Sequence, residues 1–145
     1  MAGAATPKSV LVVEDNRSTR DIVIHNLSAA GYRALEAADG EQAVQVAARE
    51  PVDLVLLDVM MPKLDGFEVC RLLRRAQATA NIPIIIVTAR NEREDVVKAV
   101  EAGATDYIVK PFTKETLLSK VRRHLGDAAG TKKSTKRAII PPLDS

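Results

Sequence analysis

The chain has 145 residues, 46% of them apolar, 28% charged and 3% aromatic, with no tryptophan and a formal net charge of +2. That is the make-up of a globular domain with an aliphatic core, and it leaves too few aromatic rings for a base-stacking nucleic-acid surface. A single cysteine, Cys70, excludes an internal disulfide or a thiolate metal site, no apolar run approaches the ~20 residues that cross a bilayer, and Met1–Lys8 lacks the pattern of a secretion signal, so a cytoplasmic protein without membrane contact is expected.

Residues 1–7 read as an N-terminal extension and 8–125 as one domain. The β-branched run Val10–Val13 predicts a strand buried on both faces. Ile22, Leu27 and Ala30 space out a helix that Gly31 stops. Tyr32–Leu35 predicts a weaker strand, and Asp39-Gly40 opens a helix marked by Ala43, Val44, Val46 and Ala47. Pro51 stands at the entrance of the next run, Val52–Leu57, and Asp65-Gly66 opens a helix carrying Phe67, Val69, Leu72 and Leu73. Beside Pro83 runs Ile82–Val87, then a helix marked by Val96, Val97 and Val100 that Gly103 stops. Tyr107–Val109 predicts the last strand, and Leu117, Leu118, Val121 and Leu125 the last helix, with His124 in its final turn facing the helix dipole. Five strand–helix alternations predict a parallel sheet with helices on both faces.

The pattern stops after Leu125. Residues 126–145, rich in Gly, Ala, Lys, Ser and Thr, read as a flexible basic tail or linker. Lys132, Lys133, Lys136 and Arg137 against Asp127 and Asp144 account for the whole net charge, leaving 17 basic and 17 acidic residues in 1–125. The body therefore has no basic field for gripping nucleic acid, and none is expected to bind residues 8–125.

Ligands of a doubly wound sheet bind beyond the carboxyl ends of its strands. At those ends stand Glu14 and Asp15, Glu36, Asp58, Thr88 and Lys110. Glu14, Asp15 and Asp58 brought together would repel one another, and a hard cation with oxygen ligands, Mg²⁺, resolves that. Lys110 and Thr88 would then meet phosphoryl oxygens, with a carboxylate as nucleophile forming an acyl phosphate.

Four blocks carry a resemblance: Val12-Val13-Glu14-Asp15-Asn16, Leu56 through Gly66, Ile84 through Ala89, and Gly103 through Phe112. In this order and spacing the chain resembles the receiver domain of two-component response regulators over about residues 8–125. The resemblance implies a flavodoxin-like sheet of order 2-1-3-4-5 with five helices. It implies Asp58 as phosphoacceptor, Asp15 as direct Mg²⁺ ligand, Glu14 acting through a water, and Met60 giving its backbone carbonyl to the metal. Thr88 would be the switch hydroxyl, Tyr107 the switch aromatic and Lys110 the phosphate-binding lysine, with a cis Lys110–Pro111 bond. Met60 and Arg90 fall at positions that tune phosphoryl lifetime. A sensor histidine kinase or histidine phosphotransfer protein would be the donor, and the face of the fourth helix, fifth strand and fifth helix the readout toward a downstream effector, an output domain or a phosphorylation-dependent homodimer. Two other readings share this layout. One is a receiver-like interaction module without phosphate chemistry. The other is a flavin carrier, against which the acids of Glu14–Arg17 stand where a flavin phosphate would sit.

Overall fold

The computed structural model describes residues 7–59, 65–89 and 93–126. Strands β1 (Ser9–Val13), β2 (Arg33–Ala37), β3 (Leu54–Asp58), β4 (Ile84–Thr88) and β5 (Asp106–Val109) alternate with helices α1 (Arg17–Ala29), α2 (Gly40–Arg49), α3 (Gly66–Arg75), α4 (Arg93–Ala102) and α5 (Lys114–Leu125). The strands form one parallel sheet in the order β2-β1-β3-β4-β5, as expected. Each observed strand overlaps its expected run. β3 and β4 start two residues later than their expected runs; Asp58 is the last residue of β3 rather than the first beyond it, and β4 ends at Thr88 as expected.

The sheet is covered on both sides, which is why its inner strands β1, β3 and β4 are buried along their whole length and nearly continuously apolar instead of alternating. Leu11, Val13, Val55, Leu57, Ile84 and Ile86 face one layer with α2, α3 and α4. Val10, Val12, Leu54, Leu56, Ile85 and Val87 face the other with α1 and α5. Asn16, Asp39, Asp65 and Thr113 cap the helices α1, α2, α3 and α5 through their side-chain oxygens. Gly31 and Gly103 follow α1 and α4 with φ of 97° and 99°, the left-handed conformation that ends helices.

Four expected core residues are corrected. Ile22, Leu72, Val97 and Val100 are 61%, 37%, 48% and 53% exposed. On α1 the core is reached by Val23 and Leu27, and on α4 by Ala99 and Ala102. Alanines carry a weak hydropathy signal, so the valines of α4 dominate its pattern although the helix packs through its small residues. Cys70 is buried, and its thiol donates to the Ala102 carbonyl across 3.3 Å. Among the described residues no helix is long and apolar enough to cross a membrane.

One buried carboxylate fastens the edge strand to its covering helix. Asp106 on β5 is fully buried. Lys120 Nζ lies 2.9 Å from its Oδ1, and His124 Nε2 and Arg123 Nη1 lie 2.9 and 3.5 Å from its Oδ2. His124 thus sits in the last turn of α5 as expected, but its ring is engaged by Asp106. Burial pushes the Asp106 carboxyl up. The hydrogen bonds with His124 and Lys120, the Tyr107 N–H and the Lys120 charge outweigh it and hold the pKa below the ordinary value of 3.8. A lowered folded-state pKa means stability that is present above the ordinary carboxylate range and is lost as pH falls through the folded value. Asp106→Asn should therefore unfold at lower urea than the parent at pH 7, and the gap should narrow as pH falls below the ordinary carboxylate value of 3.8. A gap independent of pH would contradict this role.

Candidate functional site

The topology brings the carboxyl ends of β1, β3, β4 and β5 to one rim. Asp58 pairs in register with Val87 and Thr88 with Val109, so the ends of β3, β4 and β5 lie side by side. The Lys110 N–H donates to the Thr88 carbonyl across 2.8 Å and carries the ladder one residue beyond β5. The Lys110–Pro111 bond is cis, as the resemblance implied. On the opposite flank Glu14 N–H donates to the Ala37 carbonyl across 3.1 Å, extending the β1–β2 ladder to the site.

The side chains then converge. Lys110 Nζ is 3.3 Å from Glu14 Oε1 and 3.4 Å from Asp58 Oδ2. Carboxylate oxygens of Glu14, Asp15 and Asp58 lie within 4.8 Å of one another, with Glu14 and Asp58 buried and Asp15 exposed. Burial, and then the hydrogen bond to Asp58 and its charge, push the Glu14 carboxyl up to about 7. Lys110 is held above its ordinary range because the charges of Asp58 and Glu14 outweigh the opposing effect of its burial. Three acids facing one lysine leave a negative pocket made only of hard oxygen donors. Such a set suits a small divalent cation.

Thr88 is buried at the same rim. With Tyr107, Phe67, Ile86, Asp95, Val96 and Ala99 it lines a small, partly open groove between the sheet and α4. Tyr107 is half-buried, and Lys120 Nζ sits 5.6 Å from its ring centre. Of the expected site residues, Glu14, Asp15, Asp58, Thr88 and Lys110 are thus gathered at one edge, and Tyr107 stands at the groove that opens beside Thr88. The expected roles of Met60 and Arg90, and of the tail beyond Gly126, fall outside the described residues.

Sequence reasoning passed over Arg20, which reaches this rim from α1. A lone arginine one turn into a helix carries no motif signal. Only the fold brings it beside Glu36. Asp106 was also passed over, although a carboxylate opening an otherwise apolar strand is costly unless paired.

A parallel α/β sheet with an acidic pocket and a lysine at its carboxyl rim is the architecture of phosphoryl-accepting signalling modules. The model of the response regulator receiver domain matches residues 10–122, and the chain belongs to that family, the phosphorylation-dependent switches of two-component signalling. It is 41% identical over 113 residues to the DNA-binding dual master transcriptional regulator RpaA of Synechocystis, covering 78% of this chain and 47% of that protein. Among solved structures, the chemotaxis protein CheY4 of Vibrio cholerae matches with a TM-score of 0.80 at 36% identity, covering 81% of this chain and 98% of that one. The receiver domain of a sensor histidine kinase from Pseudomonas aeruginosa, solved with a magnesium ion coordinated in its active site cleft, matches with a TM-score of 0.75 at 35% identity, covering 81% and 97%. The chain spans about half the length of the curated relatives it matches.

Proposed function

We propose that the chain takes a phosphoryl group onto Asp58 from a histidine kinase or histidine phosphotransfer protein and signals by the change of conformation that follows. The observation that carries this reading is the buried Asp58 carboxylate, 3.4 Å from Lys110 Nζ and within 4.8 Å of the Glu14 and Asp15 oxygens. An Asp58 oxygen attacks the phosphorus, the bond from phosphorus to the donor imidazole nitrogen breaks, and the imidazole leaves with the electron pair. Lys110 balances negative charge on the phosphoryl oxygens, and the Thr88 hydroxyl donates to one of them. Asp15 would hold Mg²⁺ directly, Asp58 would share it, and Glu14 would act through a water, with the Met60 carbonyl completing the protein's share. Mg²⁺, when bound, supplies positive charge against which the acids and the incoming phosphoryl group can come together.

Movement of Thr88 toward the phosphoryl group opens the groove beside it, and Tyr107 turns inward to fill it. The face of α4, β5 and α5 is thereby altered for a downstream effector, an output domain or a second copy of the chain. Residues 8–125 would be the switch and 126–145 the linker or tail. One relative is a DNA-binding regulator of which the matched residues cover 47%, which supports an output function carried outside the receiver domain.

The metal part of this reading is tested by thermal or urea unfolding. Mg²⁺ at about a hundred times its Kd should add about 2.7 kcal/mol to the unfolding free energy. Asp15→Asn should abolish most of that gain. An equal response in both proteins, or none in the parent, would count against Asp15 as ligand.

A further inference from the structure

Glu36 is the acid of the rim that phosphoryl chemistry leaves unused. It stands next to last on β2, level with Val12 of β1. One of its oxygens, Oε1, accepts a hydrogen bond of 2.9 Å from Arg20 Nε, and Arg20 Nη1 donates another of 2.9 Å to the backbone carbonyl of Glu14. The Arg20 side chain is only 14% exposed, whereas that of Glu36 is 58% exposed. The guanidinium is therefore a partly buried bridge, with two donors fixed in one plane.

The carbonyl it grips belongs to the peptide unit that joins Glu14 to Asp15. That unit is planar, so fixing its oxygen fixes the direction in which the chain enters Asp15. The neighbouring contacts hold the rest of the turn. Glu14 N–H is tied to Ala37, Asn16 N–H donates to Glu14 Oε2 across 3.2 Å, and Arg20 N–H donates to the Asn16 carbonyl across 2.9 Å. Arg20 thus closes the turn from the helix side and ties it to β2.

We propose that Arg20, held by Glu36, is a positioning residue that aims Asp15 and Glu14 at Asp58 for cation binding. The inference rests on the reading of these acids as the Mg²⁺ site. It makes a prediction opposite in sign to simple electrostatics. Arg20 places positive charge close to a divalent cation, so its removal should tighten binding if Coulomb repulsion were its whole effect. Removal of a positioning group should weaken binding, and partners that orient metal ligands typically contribute 10–100-fold in affinity.

The test is Mg²⁺ titration by calorimetry on the full chain, comparing the parent, Arg20→Met, Glu36→Gln and the double variant. Arg20→Met should bind Mg²⁺ about tenfold more weakly, the lower end of that range. Its phosphoryl uptake from a small-molecule donor should return to the parental rate at saturating Mg²⁺, a recovery that general damage to the fold would not show. Glu36→Gln should weaken binding to a smaller degree and add nothing in the Arg20→Met background, because its effect passes through Arg20. Unchanged or tighter binding by Arg20→Met, a rate deficit that survives saturation, or additive single effects would overturn the inference. Should Arg20→Met not fold, Glu36→Gln with parental affinity would overturn it equally. No Mg²⁺ binding by the parent would remove the metal reading itself, and this inference with it.

Discussion

Asp58→Asn is expected to take up no phosphoryl group under conditions that load the parent fully, while keeping the fold. The amide has the size of the carboxylate but lacks the nucleophilic oxygen pair, and no acyl phosphate can form on it. Asp58 lies at the end of a central strand, 3% exposed, so the change removes a charge from the interior and leaves the packing alone. It also removes one of the groups that hold the Glu14 carboxyl at about 7, and Lys110 is left facing Glu14 at 3.3 Å as an even pair. In metal-free buffer the variant should melt no lower than the parent, and above neutral pH higher. Intact mass after incubation with Mg²⁺ and a small phosphodonor, together with a melting curve, separates the two effects. Parental phosphoryl uptake by Asp58→Asn would place the acceptor elsewhere. A collapsed fold would show that Asp58 is needed for structure as well.

Gly66→Ala should be among the most destabilising single-methyl changes in the molecule. A Cβ at this position would lie 2.3 Å from Val59 Cα and 2.7 Å from the Asp58 carbonyl oxygen. Both are backbone atoms, which no rotamer change can clear. The φ of Gly66 is outside the left-handed region, so conformational strain is not the cause. The first turn of α3 simply packs directly on the strand end that carries Asp58, with the Gly66 N–H donating to the Val59 carbonyl at 3.3 Å. Relief requires α3 to back away from β3. Overpacking of this kind costs about 3 kcal/mol, which for a domain of this size is roughly a 10 °C fall in Tm. Phosphoryl uptake should fall as well, since the atoms displaced are the carbonyl of Asp58 and the backbone that follows it. A Tm within about 2 °C of the parent would show that the contact is more yielding than its geometry.

The large features of the fold were legible because several local signals agreed. The runs at β1, β3 and β4 are aliphatic and nearly continuous, Asp39 and Asp65 announce helix starts, and Gly31 and Gly103 announce helix ends. The rim of acids followed from asking which residues stand at the strand ends, a question that needs only the topology. What stayed hidden was pairing across the fold. Arg20 meets Glu36 sixteen residues away, and Asp106 meets a lysine, an arginine and a histidine of α5. Long polar side chains have no periodicity to betray their partners, so only the packed structure shows which of them are bridges. The α4 pattern misled for a related reason. Hydropathy favours Val97 and Val100, whereas close helix packing favours the smaller Ala99 and Ala102.

The proposed switch depends on one covalent event, formation of an acyl phosphate on Asp58. The direct measurement is chemical trapping. The chain is loaded with phosphodonor and Mg²⁺, reduced with borohydride, and mapped by peptide mass spectrometry. Reduction of an acyl phosphate at Asp58 converts that residue to homoserine and no other aspartate in the chain, and omission of Mg²⁺ leaves Asp58 unmodified. Homoserine at a different carboxylate, or phosphate recovered on a histidine or hydroxyl side chain instead, would contradict the assignment of Asp58 and the mechanism built upon it.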